Sequence, residues 1–276
     1  MKKVFIIENL KELIVSYSRK YRSVFGAIII IQGIYMTISV AIGCRKGGVG
    51  KSALSASLAS LFARDGKEVL LIDLDPQGNV TFGLGGEPGS VGSAEFLKGE
   101  EVSPTLLHPN ISILAGGPEL NSVEVSSLEP EALRDLITDH QLNPEVMIID
   151  LPPYSEHLER LGLVAADHAL IPVVAHPFAI SGAARIAGLI EARQQRSRPG
   201  PQRYALVQSM IDLRRTLDRS LQESLKELFP EIPTFGFRQD ISVAYSLTEQ
   251  LPLHVFDHRA RVFPELEEIG AWLNGR

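Results

Sequence analysis

Apolar and amphipathic stretches alternate along this chain of 276 residues, and the alternation is the first guide to its fold. Short apolar, β-branched runs predict buried strands at TISVAIG (37–43), EVLLIDLDPQGN (68–79), EVMIIDLPP (145–153), HALIPV (168–173) and YALVQSM (204–210). Helical spacing of apolar residues predicts helices over about 51–64, 179–196, 214–228, 241–249 and 263–274. This alternation predicts an α/β fold: one doubly wound, mostly parallel sheet flanked by helices.

The composition narrows the classes of protein that fit. With 45% hydrophobic and 22% charged residues, the chain has the balance of a soluble globular protein. Cys44 is the single cysteine, which excludes an intrachain disulfide and any zinc or iron–sulfur site built from several cysteines of one chain. It also fits a reducing compartment, so we expect a cytoplasmic protein.

The net charge of −6 conceals a basic stretch in the second half of the chain. Residues 185–219 contain eight arginines, no lysine and three acids. Such a cluster on an acidic protein predicts either a basic face for a polyanion or a set of solvated helix surfaces. Charge alone leaves both interpretations open.

Between Arg22 and Arg45 lie 22 residues without a charge, a length that could span a bilayer. The stretch contains polar residues and three glycines, and its end is the predicted strand at 37–43. The remaining 12 residues, 24–35, fall short of the ~20 that a transmembrane helix needs.

We therefore interpret residues 36–276 as a single domain whose functional start is Met36. Residues 1–35 are then an N-terminal extension, appended or misassigned. A genuine extra helix packed on the domain and a membrane anchor are the alternatives.

The segment CRKGGVGKS at 44–52 lies between the first predicted strand and a helix, where a phosphate-binding loop is expected. Glycines let the backbone approach phosphate, and successive N–H groups at a helix N-terminus form an anion site. Lys51 would reach the β- and γ-phosphates, and the Ser52 hydroxyl would bind Mg²⁺. The predicted nucleotide-binding residues are Gly47, Gly48, Val49, Gly50, Lys51, Ser52 and Ala53.

This loop departs from the common pattern at its start. The first glycine of that pattern would fall at Arg45, and a second lysine, Lys46, follows it. The predicted phosphate-binding loop therefore carries an additional cation, Lys46, near its N-terminal end.

Aspartates end the second and third predicted strands. Asp73 and Asp75 close one, and Asp150 closes the other. Because α/β sheets bind ligands in a crevice at the carboxyl ends of their parallel strands, we expect these carboxylates to converge beside the loop. An aspartate in this position orders Mg²⁺, usually through water. For any one of them alone, a helix N-cap is the alternative.

Four segments, KGGVGKS with Lys46, LLIDLDPQGN, IIDLPP and HALIPVVAHPFAISGA, together resemble the deviant Walker A ATPases of the ParA/MinD/Soj group. They come in the group's order and spacing, the resemblance covers about residues 36–276, and it is close to ParA-type partition proteins. It implies a P-loop NTPase that binds ATP and Mg²⁺. It also implies that Lys46 crosses a homodimer interface and touches the partner's γ-phosphate.

The resemblance further implies roles for the acidic residues. Asp75 would position the attacking water, Asp73 would lie close to the metal, and Asp150 would coordinate it through water. The implied catalytic residues are then Lys46, Lys51 and Asp75, and the implied metal-site residues are Ser52, Asp73 and Asp150. Hydrolysis in such switches is slow and is stimulated by a partner protein and DNA.

The chain departs from the group at two positions. Cys44–Arg45 stands where Asn-Gln is common, and Ala53 stands where a second threonine is common. Neither change removes a group needed for phosphate or Mg²⁺. The first bears on partner-stimulated hydrolysis.

Arginines in the second half match regions that bind DNA without sequence preference in ParA proteins. Three lie on the helix predicted over 214–228, and one lies in FGFRQDISVAYSLTEQLPL. The implied DNA-binding residues are Arg214, Arg215, Arg219 and Arg238. Contacts of this kind depend on charge and weaken steeply with salt. The alternative is ordinary surface arginine paired with Asp212 or Asp218.

The resemblance thus implies a cytoplasmic, nucleoid-associated ATPase that forms a homodimer with ATP, binds double-stranded DNA and segregates a plasmid or chromosome with a ParB-like protein. Alternatives are the positioning of a protein cargo on the nucleoid, a MinD-like membrane-associated regulator, and an enzyme that phosphorylates a carboxylate. The acidic C-terminal stretch PELEEIGAWLNGR argues against the membrane-binding branch, since its glutamates would be repelled by anionic lipid and Trp272 is expected to pack inward.

Overall fold

The structure is a computed structural model that describes residues 37–176, 179–212 and 214–275. Its strands are β1 Ile38–Ile42, β2 Val69–Asp73, β3 Thr105–His108, β4 Ile111–Leu114, β5 Val146–Asp150, β6 His168–Val173, β7 Arg203–Ile211 and β8 Thr234–Arg238. They form an eight-stranded sheet in the order β3-β4-β2-β5-β1-β6-β7-β8. All neighbouring pairs are parallel except β3 and β4, which are antiparallel at one edge. The predicted α/β class and mostly parallel sheet are confirmed.

Helices connect these strands. They are α1 Lys51–Arg64, α2 Asn79–Gly83, α3 Ser93–Leu97, α4 Val123–Ser126, α5 Ala132–Asp139, α6 Glu156–Ala165, α7 Ala179–Gln194, α8 Thr216–Leu228, α9 Ile241–Thr248, α10 Leu253–Phe256 and α11 Phe263–Leu273. A 3₁₀ turn at Pro118–Asn121 precedes α4.

Helices cover both faces of the sheet, which is why β2 and β5 are buried along their full length. On one face α1 packs with α9, α10 and α11 against the strands. The apolar face predicted for the first helix, Leu54, Leu58 and Leu61, is buried there. The other face is covered by α5, α6, α7 and α8. Each fully buried leucine in these layers contributes about 2 kcal/mol to stability.

Two of the differences from the predicted boundaries lie near the candidate site. β2 ends at Asp73, so Asp75 lies in the following turn, where its N–H donates to Asp73 Oδ1 at 2.9 Å. The helix predicted from 214 begins at Thr216. Arg214 and Arg215 precede it, because the Asp212 carboxylate and carbonyl accept their N–H groups and close a turn.

The β3–β4 hairpin at the sheet edge was not predicted from the sequence. Leu106 in β3 is 67% exposed, and β3 reaches only four residues. Such a short and half-solvated strand lacks the apolar run that marks the central strands.

The prediction for residues 1–35, with its alternatives of an extra helix or a membrane anchor, lies outside the described residues. Within the described part of the chain, no helix combines the length and apolar character needed to cross a bilayer. Trp272 in α11 packs against Phe235 and His168 and lies under the Arg203 guanidinium, so the predicted inward packing is confirmed.

Candidate functional site

The glycine-rich loop joins β1 to α1 and leaves the helix N-terminus open for an anion. Gly48 and Gly50 have φ values of 70° and 82°, in the left-handed region that favours glycine. α1 has no side-chain cap and no acid in its first turn. Its first N–H groups therefore lack a side-chain partner among the described residues and could donate to phosphate oxygens.

The two lysines of the loop differ sharply in exposure. Lys51 is buried, and its Nζ donates to the Lys46 carbonyl at 3.2 Å. The Lys46 N–H donates to Cys44 Sγ at 3.4 Å, whereas its side chain is exposed. The backbone of Lys46 is thus held on both sides, whereas its side chain is exposed.

Asp150 lies at the end of β5 and connects directly to α1. Its Oδ2 accepts the Ser52 hydroxyl and its Oδ1 accepts the Ser55 hydroxyl, each at 2.7 Å. Burial raises the pKa of Asp150 to about 6, against the opposing effect of the two hydroxyls and the nearby Lys51 ammonium. A cation bound beside Ser52 would favour the ionised carboxylate.

Asp73 lies opposite Asp150 in the β2–β5 register, but its oxygens are already occupied. Oδ1 accepts the Asp75 N–H at 2.9 Å, and Oδ2 accepts the Thr81 hydroxyl at 2.6 Å and the Thr81 N–H at 3.1 Å. Burial, followed by the charge of Asp150, raises the pKa of Asp73 to about 8. Asp73 therefore holds the turn that carries Asp75, whose own Oδ1 accepts the Gln77 N–H at 2.9 Å.

These groups fit a nucleotide with Mg²⁺. Within the described residues, no group of three or more His, Cys, Asp or Glu residues could hold a metal alone. Mg²⁺ in nucleotide sites needs only one or two protein oxygens in addition to phosphate and water. Ser52 and Asp150 would hold it, and Mg²⁺ would supply charge neutralisation of the phosphates. The three predicted carboxylates meet beside the loop, with Asp150 closest to Ser52.

Gly116, which follows β4, lets the backbone pack directly against Asp73 and Asp75 because it has no side chain. A methyl group there would lie 2.5 Å from Asp73 Cγ and 2.7 Å from the Asp75 carbonyl oxygen. We expect Gly116→Ala to lower the free energy of unfolding by about 2 kcal/mol, because a buried side chain and backbone would have to move. Urea unfolding followed by circular dichroism measures this.

The matched control is Gly188→Ala, since Gly188 is exposed in α7 and a methyl there would meet no atom of the described residues within 4 Å. That change should leave stability unaltered or raise it by up to about 1 kcal/mol, as helix propensity favours alanine. Equal stability of the Gly116 variant and the wild type would contradict the packing described.

The predicted DNA-binding arginines lie near the carboxyl ends of β7 and β8. The Arg214 side chain is 91% exposed and pairs with Asp212 at 2.8 Å, and Arg215 lies 3.7 Å from the same carboxylate. Arg238 pairs with Glu265 of α11. Arg219 is exposed in the first turns of α8. The alternative of pairing with Asp212 is thus realised for Arg214 and Arg215, although both remain largely exposed.

A groove of about 1310 Å³ extends from the phosphate loop towards these arginines. Its lining includes Gly50 and Ala53 as well as Arg214, Arg215 and Arg238. The structure therefore brings three of the four predicted arginines to one surface beside the loop.

Sequence reasoning missed the residues at the end of β7 that face the loop. A methyl group at Gly50 would lie 2.9 Å from Ser209 Oγ and 3.7 Å from Met210 Cγ. Met210 has a φ of 57°, an unusual value for a side chain of this size, at a bulge against β8. The strand was predicted, but its amino-acid pattern carries no signal for this backbone turn.

Comparisons with known proteins agree with this geometry. The sequence profile of a family described as an AAA domain matches residues 37–200. The chain is 34% identical to the chromosome-partitioning ATPase Soj of Thermus thermophilus over 196 residues, which is 70% of this chain and 77% of Soj.

Two solved structures extend the comparison. The ATP complex of a McdA variant from Cyanothece has a TM-score of 0.73 at 21% identity, covering 87% of this chain and 97% of McdA. That level of identity supports the fold alone. The cobyrinic acid a,c-diamide synthase of Mycobacterium smegmatis, with bound ADP and magnesium, has a TM-score of 0.66 at 27% identity, covering 78% of this chain and 92% of the synthase.

Proposed function

The chain belongs to the ParA/MinD-type P-loop ATPases, and from this we propose that it is an ATP-driven dimerising switch that binds DNA without sequence preference. In this proposal ATP with Mg²⁺ joins two copies of the chain, and the dimer coats nucleoid DNA in the cytoplasm. A ParB-like protein bound to a plasmid or chromosome stimulates slow hydrolysis and releases the dimer.

The observation that carries this proposal is the contrast between the two lysines of the loop. Lys51 is buried where the phosphates would lie, and Lys46 is exposed although its carbonyl contacts the Lys51 ammonium. In an enzyme that acts on a small molecule within one protomer, an exposed lysine at position 46 would have no role in binding ATP. A second copy would give it that role, since ATP between two like faces needs a cation from each.

The exposed arginines support DNA as the polyanion. Arg214 and Arg215 line the same groove as Gly50 and Ala53 of the phosphate loop and its helix. Their shared partner, Asp212, has a pKa lowered to about 2, chiefly because the Arg214 side chain and backbone N–H donate to it. The side chains of Arg214 and Arg215 are 91% and 66% exposed, so their guanidinium groups can reach phosphate oxygens.

Arg215→Glu tests the DNA assignment. We expect it to weaken binding of the ATP-bound protein to a random-sequence duplex by about 10-fold, and to reduce the salt slope by about 1. Fluorescence anisotropy across a salt series measures both quantities.

Arg198→Glu is the matched control, because Arg198 is also exposed and paired with an aspartate, Asp135, but does not line the groove. It should bind DNA like the wild type. Equal losses in the two variants would indicate a general effect of charge and would contradict a DNA site at Arg215.

A small-molecule enzyme is the second candidate, favoured by the similarity to the M. smegmatis synthase. Such an enzyme would hydrolyse or transfer phosphate in step with a carboxylate substrate and would show no dependence on DNA. Stimulation of ATP hydrolysis by DNA, measured without any other substrate, separates the two.

A further inference from the structure

Arg45, the residue before Lys46, is tied to helix α6. Its Nε donates to Glu159 Oε2 at 2.9 Å, and one terminal nitrogen lies 3.5 Å from Glu156 Oε2. The Glu159 side chain is only 4% exposed. Because a buried carboxylate without a cation is costly, breaking this pair on one side is expected to cost much more than breaking a surface ion pair.

The pKa of Glu159 reflects the same arrangement. The pKa of Glu159 is raised, chiefly by burial and also by the charge of Glu156, while the charge and hydrogen bond of Arg45 and, less, the charge of Arg185 in α7 oppose the shift. Arg45 is thus the main group that compensates the buried charge of Glu159.

A second contact places the start of α6 over the loop. A methyl group on Gly47 would lie 2.8 Å from the Tyr154 hydroxyl, and Tyr154 lies two residues before α6. The α6 region therefore pairs with the loop at Arg45, and the Tyr154 hydroxyl lies close enough to Gly47 to leave no room for a side chain there. Lys46 is exposed and directly follows Arg45, which is held by its ion pair with Glu159.

We propose that Arg45 is a positioning residue that, through Glu159, fixes the front of the loop against α6 so that Lys46 faces outward before a second copy arrives. The proposal rests on the ATP-dependent dimer proposed above. Orienting Lys46 in the free protomer removes part of the ordering cost of dimerisation. Arg45 is one of the positions at which this chain departs from the group's usual residues. Through the Arg45–Glu159 pair, helix α6 therefore orients Lys46 in this chain.

The experiment compares the full chain with Arg45→Gln, Glu159→Gln and the double variant. Dimerisation is measured by sedimentation velocity with a non-hydrolysable ATP analogue and Mg²⁺, and analogue binding by equilibrium dialysis at concentrations where the chain is monomeric. Arg45→Gln should weaken dimerisation about 10-fold with little change in analogue affinity, and the double variant should be no worse than Arg45→Gln alone. Arg45→Lys, which keeps the charge, should recover part of the loss.

Arg160→Gln is the matched control, because Arg160 makes an exposed ion pair with Glu156 on the same helix. It should dimerise like the wild type. If Arg45→Gln dimerises normally while Lys46→Ala does not, the inference is wrong and the proposed switch stands. A parallel loss of analogue affinity, or additive losses in the double variant, would also overturn it. If the wild type itself stays monomeric with the analogue, the proposed function and this inference both fail.

Discussion

Replacing Lys51 by alanine is expected to lower the affinity for ATP by about 100-fold. Lys51 is buried at the open N-terminus of α1, and its ammonium lies within reach of the phosphates that the first-turn N–H groups would bind. Charged hydrogen bonds to two phosphate groups are lost at once in this variant. Isothermal titration calorimetry with ATP and Mg²⁺ measures the change.

Lys226→Ala is the control for this prediction, because Lys226 is exposed in the last turn of α8. It should bind ATP like the wild type. Since Lys51 is buried, the thermal midpoint of each variant should be recorded beside its affinity. A folded Lys51→Ala protein with unchanged affinity would contradict the assignment of the loop.

Lys46→Ala should separate ATP binding from dimerisation. Its side chain is exposed, and it is the Lys46 backbone that contacts Cys44 and Lys51, so ATP affinity of the monomer should stay nearly constant. The dimer should weaken by at least about 2 kcal/mol, or roughly 30-fold, because two phosphate-facing cations are removed from one interface. Sedimentation velocity with a non-hydrolysable ATP analogue measures the association.

If Lys46→Ala dimerises as strongly as the wild type, Lys46 does not contribute to the dimer. Loss of ATP binding in the same variant would instead place Lys46 within the site of its own protomer. Either result would contradict the role proposed for this residue.

The local features of the site could be predicted from the sequence. A strand, a glycine-rich loop and a helix follow one another here. This local order places Lys51 and Ser52 at the helix N-terminus independently of the rest of the fold. The strand-end aspartates could also be predicted, since apolar runs ending in Asp mark parallel strands whose carboxyl ends share one edge. The structure adds that Asp150 is bonded to Ser52 and that Asp73 is occupied by Thr81.

Features set by contacts that the apolar pattern does not encode could not be predicted. Glu159 lies 114 residues from Arg45 along the chain, and nothing in either segment indicates the pair. Helical periodicity extended α8 back to Arg214, because a turn closed by the Asp212 carboxylate leaves no trace in an apolar pattern. The left-handed conformation of Met210 likewise depends on a bulge between two strands.

The central claim is that ATP converts this chain into a DNA-binding dimer. The most direct measurement is binding of the wild-type chain to a random-sequence duplex with ADP or with ATP, each with Mg²⁺, across a salt series. We expect tight binding only with ATP, a steep loss as salt increases, and a loss with Lys46→Ala. No binding in either nucleotide state, or equal binding in both, would contradict it.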